Sequence, residues 1–246
     1  MSCALCLREK KLCKSHIIPQ FFYEPLYENG QPRKFFQISG DPVKKTISRQ
    51  QGIWEYLLCE DCEAQFSGLE DYGRRIIFGG CEIRVSQRPD GFLIHDIDYA
   101  KFKLFQMSIL WRADASTRRE FSNVNLGPHR ERLRDMISRN DPGMCYQYGC
   151  MIVASPLLKR ERINMIMPLG TVKCESHHLH RFLLNYTLWG FFVSNHMHQL
   201  KNLKMFLSED GTLPVVYDRD RVRRLLGGFA RDLREAGKIT SSGEVC

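Results

Sequence analysis

The chain has 246 residues, of which 43% are hydrophobic and 26% are charged. These values are typical of a globular protein with a substantial core, and they exclude a chain dominated by disorder. Lysine and arginine number 36 against 28 acidic residues. The formal net charge of +8 favours polyanionic partners, although a solvated basic surface without a partner would carry the same charge.

The first residues, MSCALCLREKKLCK, lack the apolar stretch of a secretory signal. The longest apolar run, Phe182 to Val193, contains Asn185 and is too short for a transmembrane helix. We therefore expect a cytoplasmic protein with no membrane partner. In that compartment most of the ten cysteines should be reduced, so closely paired cysteines indicate a metal before a disulfide.

The first predicted elements are a cysteine knuckle and a short strand within residues 1–18. An apolar run at 53–59 leads into a helix predicted from about Glu60 to Ile77, because apolar residues recur there at helical spacing. Residues 79–98 predict a β-hairpin whose turn is Arg-Pro-Asp-Gly.

From Tyr99 the pattern changes to that of an amphipathic helix, and Pro128 to Ser138 predicts a second helix with proline near its N-terminus. Three apolar, β-rich runs follow, at 148–156, 162–172 and 182–194. The last predicted element is a helix from about Arg219 to Ala236. The order of elements predicts an α+β protein.

Two Cys-x-x-Cys pairs, Cys3/Cys6 and Cys59/Cys62, are the strongest chemical signal in the chain. Each turn places two thiolates on one side of a tight loop, and two such turns supply the tetrahedral sulfur site that zinc prefers. Two unrelated pairs of reduced thiols are the simplest alternative.

A rival zinc site is local. Cys3, Cys6, Cys13 and His16 have a spacing that could close a small zinc knuckle. His16 would then be a metal ligand rather than a base, and the second Cys-x-x-Cys pair would be left without a purpose.

Three motifs follow one another in the first third of the chain. They are Cys3-x-x-Cys6, then Ser15-His16-Ile17-Ile18-Pro19, then Leu58-Cys59-x-x-Cys62-Glu63. In this order, over about residues 1–77, they resemble the HNH endonucleases. The resemblance implies a ββα-metal core braced by a structural zinc ion on the four cysteines. It also implies that His16 is the general base for a water that attacks a phosphodiester.

The resemblance implies further roles, with departures from the family pattern. Glu63 falls at the helix histidine that binds the catalytic metal, and Ser15 falls at the Asp or His that helps to hold it. Glu63 suits Mg²⁺ or Mn²⁺, which prefer oxygen ligands. Glu70 could add a second carboxylate or belong to a solvated helix face. The middle asparagine has no clear counterpart, since Trp54 or Glu55 lies near its place.

The sequence thus predicts a zinc-stapled ββα-metal module at 1–97, followed by a C-terminal α+β domain of unidentified role at 98–246. The expected function is metal-dependent cleavage of nucleic acid, with DNA as the first choice. The alternative is a catalytically inert zinc module that binds nucleic acid or protein, because Ser15 is a poor substitute for a carboxylate. A protein partner or a homo-oligomer is left open.

Residues 108–137 are similar to a segment that follows such modules in uncharacterised bacterial proteins. By analogy alone, we expect defence against foreign DNA as a setting. The second half also holds the histidine cluster of the chain, which consists of Cys174, His177, His178, His180, His196 and His198. It could form a second metal site, but a solvated loop between strands is the preferred interpretation. Cys81, Cys145 and Cys150 are expected to be buried as hydrophobic residues.

Overall fold

The computed structural model describes residues 1–27, 34–39, 41, 43–160, 163–217 and 221–240, with the backbone alone at 221–223 and 225. Its helices are α1 (Glu60–Phe78), α2 (Tyr99–Ala115), α3 (His129–Ser138), α4 (Pro156–Arg160) and α5 (Arg221–Glu235). Its strands are β1 (Leu12–His16), β2 (Phe35–Gln37), β3 (Ile47–Arg49), β4 (Trp54–Cys59), β5 (Val85–Arg88), β6 (Gly91–Ile94), β7 (Cys150–Ala154), β8 (Ile166–Cys174), β9 (His177–Leu184), β10 (Thr187–Val193) and β11 (Leu213–Tyr217). The predicted α+β class is confirmed.

The N-terminal elements form a two-stranded antiparallel ribbon followed at once by a helix. β1 and β4 pair from Leu12 opposite Cys59 to His16 opposite Trp54. α1 begins at Glu60, directly after β4, and its first turn is rich in acidic residues, which the positive end of a helix dipole favours. The strand and the helix predicted here are confirmed, and together they make a ββα unit.

Seven strands form one sheet in the order β5-β6-β11-β7-β10-β9-β8. The pair β11–β7 is parallel, and the other neighbours are antiparallel. The hairpin predicted within 79–98 is present as β5 and β6, and β6 pairs with β11 near the end of the chain. The predicted boundary between residues 97 and 98 therefore separates strands of a single sheet.

Gly91 marks the closest approach of β6 to β11. A Cβ atom built at Gly91 would lie 2.0 Å from the carbonyl oxygen of Val215, so any larger residue would push the two strands apart. This contact ties the early hairpin to the C-terminal strands.

The apolar, β-rich run at 182–194 is divided by a tight turn. β9 ends at Leu184, Asn185 takes a positive φ of 56°, and β10 begins at Thr187. The histidines at 177, 178 and 180 lie on β9 rather than in a solvated loop, so that interpretation is wrong. The turn was not predicted, because the whole run is β-rich in composition.

α2 lies in the interior of the protein. Every residue from 102 to 114 is buried, because α1 and α3 contact the helix on one side and Trp189 of the sheet packs against its Phe102 and Phe105 on the other. The prediction of an amphipathic helix is therefore wrong, since α2 has no solvated face over this stretch. One hydrophobic core joins the ββα unit to the sheet.

Three smaller predictions have mixed outcomes. Cys150 is fully buried as expected, whereas Cys81 and Cys145 are only partly buried. The last helix is observed as α5, and its predicted start at Arg219 lies outside the described residues. None of the described helices is long and apolar enough to cross a membrane.

Candidate metal centre and adjoining polar site

Four cysteines, one pair from each Cys-x-x-Cys turn, come together beside the start of α1. The sulfur atoms of Cys3, Cys6, Cys59 and Cys62 all lie within 4.8 Å of one another. Those of Cys6 and Cys59 are 3.8 Å apart. A tetrahedral ion with bonds of about 2.3 Å would hold its ligands about 3.8 Å apart. The four free thiols therefore form a group that could hold a metal ion.

The knuckle at the N-terminus is fastened to the end of β4. The backbone N–H of Cys59 donates to the sulfur of Cys3 over 3.3 Å, which brings the two halves of the group together. Cys13 and His16 lie on β1 and belong to no metal-ligating group of the described residues. The rival knuckle that used them as ligands does not form in this structure.

A small polar site adjoins the metal centre where β1 meets α1. Ser15 is fully buried, and its hydroxyl oxygen accepts a hydrogen bond of 3.1 Å from the N–H of Leu58. His16 follows it at the end of β1, and Glu63 lies in the first turn of α1. Nε2 of His16 and Oε1 of Glu63 are both buried without a hydrogen-bond partner in the part of the chain that is described.

Burial governs the ionisation of both groups. It lowers the pKa of His16, and the guanidinium of Arg112 lowers it further, so the imidazole is neutral at pH 7. Burial raises the pKa of Glu63, while the hydroxyl of Ser15 and the guanidinium of Arg112 partly offset that effect. Unsatisfied buried polar atoms are costly, so each of these two atoms is suited to a ligand.

Arg112 on α2 is the charged residue that acts on both His16 and Glu63. It is 1% exposed, stacks over the ring of Phe66 at 5.0 Å, and forms an ion pair of 2.5 Å with Glu70. Its Nη1 also donates to the backbone carbonyl of His16 over 2.7 Å. Glu70 is thus engaged by Arg112 rather than free to act as the second metal carboxylate considered above.

Glu55, near the place of the missing asparagine, is also engaged. One carboxylate oxygen accepts from the hydroxyl of Ser116 at 2.8 Å and the N–H of Thr117 at 3.0 Å. The other accepts from the hydroxyl of Thr117 at 2.6 Å. Glu55 therefore holds the loop after α2, and Glu63 is the carboxylate of this region with a buried oxygen left unpaired.

One face of the β1–β4 ribbon is basic and aromatic, and we call Lys14, Trp54, Tyr56 and Arg118 the ribbon face. Lys14 pairs with Tyr56 and His16 with Trp54, so these side chains share one side of the ribbon. The Nζ of Lys14 lies 4.5 Å and the guanidinium carbon of Arg118 5.7 Å from the ring centroid of Trp54. This cluster is not visible in the sequence, because strand register brings its members together.

Comparisons of the chain with protein-family models, with curated proteins and with solved structures find no match. The resemblance to HNH endonucleases therefore rests on the sequence motifs and stays a prediction. Apart from the four cysteines, no other group of three or more metal-ligating side chains is found in the described ranges. The histidine cluster on β9 and beyond is accordingly not a second metal centre in this structure.

Proposed function

We propose that the chain is a metal-dependent endonuclease of the HNH type that hydrolyses phosphodiester bonds, with DNA as its substrate. The observation that carries the proposal is the pair of buried, unpartnered ligand atoms, Nε2 of His16 and Oε1 of Glu63, within a ββα unit. Such a site requires rigid placement of its groups. Two strands and a helix that are held together by four cysteines would provide it.

His16 is the proposed general base. A base must be unprotonated at the working pH, and burial keeps the pKa of His16 below its usual value. Its unpartnered Nε2 can accept the proton of a water molecule that attacks phosphorus. The hydrogen bond from Arg112 to the carbonyl of His16 fixes the backbone that presents the ring.

Glu63, assisted by the hydroxyl of Ser15, is the proposed holder of Mg²⁺ or Mn²⁺. Both are oxygen ligands, which these hard cations prefer. Bound there, such an ion would stabilise the charge that develops on the phosphate and the leaving oxygen. The buried carboxylate fits this role because a cation would supply the partner that Oε1 lacks.

The four cysteines are proposed to hold a structural zinc ion. A closed set of four sulfur ligands is typical of structural zinc and leaves no position for a substrate. The group fastens the N-terminal knuckle, the end of β4 and the first turn of α1 to one another. The distance between Ser15 on β1 and Glu63 on α1 then depends on the metal.

The ribbon face is the proposed nucleic-acid contact. Lys14 and Arg118 can bind phosphates, and the half-exposed ring of Tyr56 offers a surface to bases or sugars. Trp54 lies directly opposite His16 on the ribbon. A strand that lies along this face would therefore pass the proposed base. Attack on foreign DNA is one setting in which such an activity would operate.

A catalytically inert zinc module that binds nucleic acid or protein is the second candidate. The engagement of Glu70 by Arg112 and of Glu55 by the loop after α2 favours it, since the site then offers one carboxylate. The ribbon face would serve either function, so binding alone does not separate the two.

A plasmid assay separates them. The purified chain is incubated with supercoiled plasmid and Mg²⁺ or Mn²⁺, beside His16→Ala and His198→Ala preparations of equal zinc content. The exposed His198 is the matched control. Nicking by wild type and His198→Ala, but not by His16→Ala, is the expected result. No nicking by any of the three, with zinc bound and the fold intact, would favour the inert module.

A further inference from the structure

A cavity formed by described residues lies far from the ribbon in the sequence. It has a volume of about 580 Å³, which is in the range of small-molecule sites. β8, β9 and β10 form one wall, and the segment that leads into α3 forms the other. Four histidines line it: His129, His178, His180 and His196.

The protonation of His180 can be assigned from its hydrogen bonds. Its Nδ1 lies 2.8 Å from the hydroxyl oxygen of Thr171, and that hydroxyl donates its own proton to the carbonyl of Asn123 over 3.2 Å. The Thr171 oxygen must therefore accept from His180, so Nδ1 carries the proton. In the neutral ring Nε2 is then an acceptor.

This acceptor is available to a ligand. His180 is 1% exposed and lines the cavity, yet no hydrogen bond to its Nε2 occurs within the described part of the chain. Burial lowers the pKa of His180 to about 4, and the ring stays neutral at pH 7. An acceptor that faces the cavity without a protein partner is matched by a ligand that donates an N–H or an O–H group.

Two asparagines at the rim supply the complementary donors. The side-chain oxygen of Asn125 accepts from the N–H of Gly127 at 3.0 Å, and that of Asn195 accepts from Arg132 at 3.0 Å. With their oxygens engaged, the amide nitrogens of both asparagines remain as donors.

The lining of the cavity favours uncharged ligands over ions. None of its described lining residues is a lysine, arginine, aspartate or glutamate. Outside the lining, Arg130 is paired to Asp114, and Arg132 donates to the neutral side chain of Asn195. An ionic ligand would lose its hydration without gaining a counter-ion from the lining residues. A metal ion is also excluded, since the four histidines form no group of three converging ligands.

We propose that this cavity binds an uncharged polar molecule of nucleoside or monosaccharide size. The ligand donates a hydrogen bond to Nε2 of His180 and accepts from the amides of Asn125 and Asn195. Nucleosides and monosaccharides share this chemistry, because both carry adjacent donors and acceptors without net charge. This inference is independent of the proposed nuclease function.

Titration calorimetry on the full chain tests the proposal with three probes: adenosine, glucose and adenosine monophosphate. We expect adenosine or glucose to bind with a Kd of about 1 mM or tighter, and the monophosphate to bind no more tightly than adenosine. His180→Leu should weaken binding roughly tenfold, whereas His198→Leu, outside the lining, should not. Asn125→Ala, on the exposed rim, gives the same test if His180→Leu fails to fold.

Three results would overturn the inference. The first is the absence of binding by both neutral probes. The second is tighter binding of the monophosphate than of adenosine, which would indicate an anion site. The third is unchanged binding in both His180→Leu and Asn125→Ala, which would place the ligand elsewhere.

Discussion

Arg112 on α2 donates a hydrogen bond of 2.7 Å to the backbone carbonyl of His16. The same guanidinium forms an ion pair of 2.5 Å with Glu70 on α1. A residue 96 positions along the chain thus joins the end of β1 to the helix of the ββα unit. The N-terminal module therefore depends on α2 for the placement of its proposed base.

Replacing Arg112 by methionine should destabilise the protein strongly. The change leaves the carbonyl of His16 and the partly buried carboxylate of Glu70 without their partner, a loss of about 3 kcal/mol in the free energy of unfolding. Denaturant unfolding measures it. Arg84→Met is the matched control, since its ion pair with Asp96 is exposed and should contribute little to stability. Equal effects of the two changes would contradict the assigned role of Arg112.

Removing one cysteine of the four-cysteine group should lower both the metal content and the thermal stability of the protein. Cys6→Ser should lose the bound zinc and lower the Tm by about 10 °C, because several kcal/mol of binding free energy also stabilise the fold. Metal analysis and thermal unfolding of the purified protein provide the two readouts. Cys174→Ser is the control, since Cys174 is exposed and lies outside the group. Full zinc content in Cys6→Ser would show that the group is assigned wrongly.

The stability of the protein should fall in mild acid because of His180. Its pKa is about 4 in the folded chain and 6.5 when unperturbed, so between these pH values only the unfolded chain binds the proton. The free energy of unfolding should therefore decrease by roughly 3 kcal/mol as the pH falls from 6.5 to 4. His180→Leu should make this slope shallower in denaturant titrations at a series of pH values. The exposed control His198→Leu should keep it, and an unchanged slope in His180→Leu would refute the assignment.

The ribbon face should determine how nucleic-acid binding depends on salt. Lys14→Gln should weaken binding to a DNA oligonucleotide and reduce the slope of log K against log salt by about 1, as the loss of one phosphate contact does. Fluorescence anisotropy without divalent cations separates this binding from cleavage. Lys201→Gln, exposed on a different part of the surface, should leave the slope unchanged. Equal slopes for Lys14→Gln and wild type would place the contact elsewhere.

Local patterns in the sequence predicted the local structure well. The spacing of the two Cys-x-x-Cys pairs predicted a four-cysteine group, and the apolar run before Glu60 predicted a strand that enters a helix. These features depend on a few neighbouring residues, so they are visible without tertiary information.

Features that depend on contacts between residues far apart in the sequence were not predicted. The burial of α2 on all sides results from its position between the sheet and the other helices, which no periodicity reports. The cavity around His180 requires β9 to lie against the segment before α3. The ribbon face needs the register of β1 with β4. Long-range pairing of this kind overrides local pattern, and it created the candidate sites that the sequence did not predict.

The most direct test of the proposed nuclease activity is a comparison of two glutamates in the first turn of α1. Glu63 has a buried oxygen without a partner, whereas Glu60, three positions earlier, is exposed. The rate of plasmid nicking is measured against Mn²⁺ concentration for wild type, Glu63→Gln and Glu60→Gln at equal zinc content. The proposal predicts that Glu63→Gln alone loses the metal-dependent rate by at least about a hundredfold. A Glu63→Gln rate curve that coincides with wild type, while wild type nicks the plasmid, would contradict it.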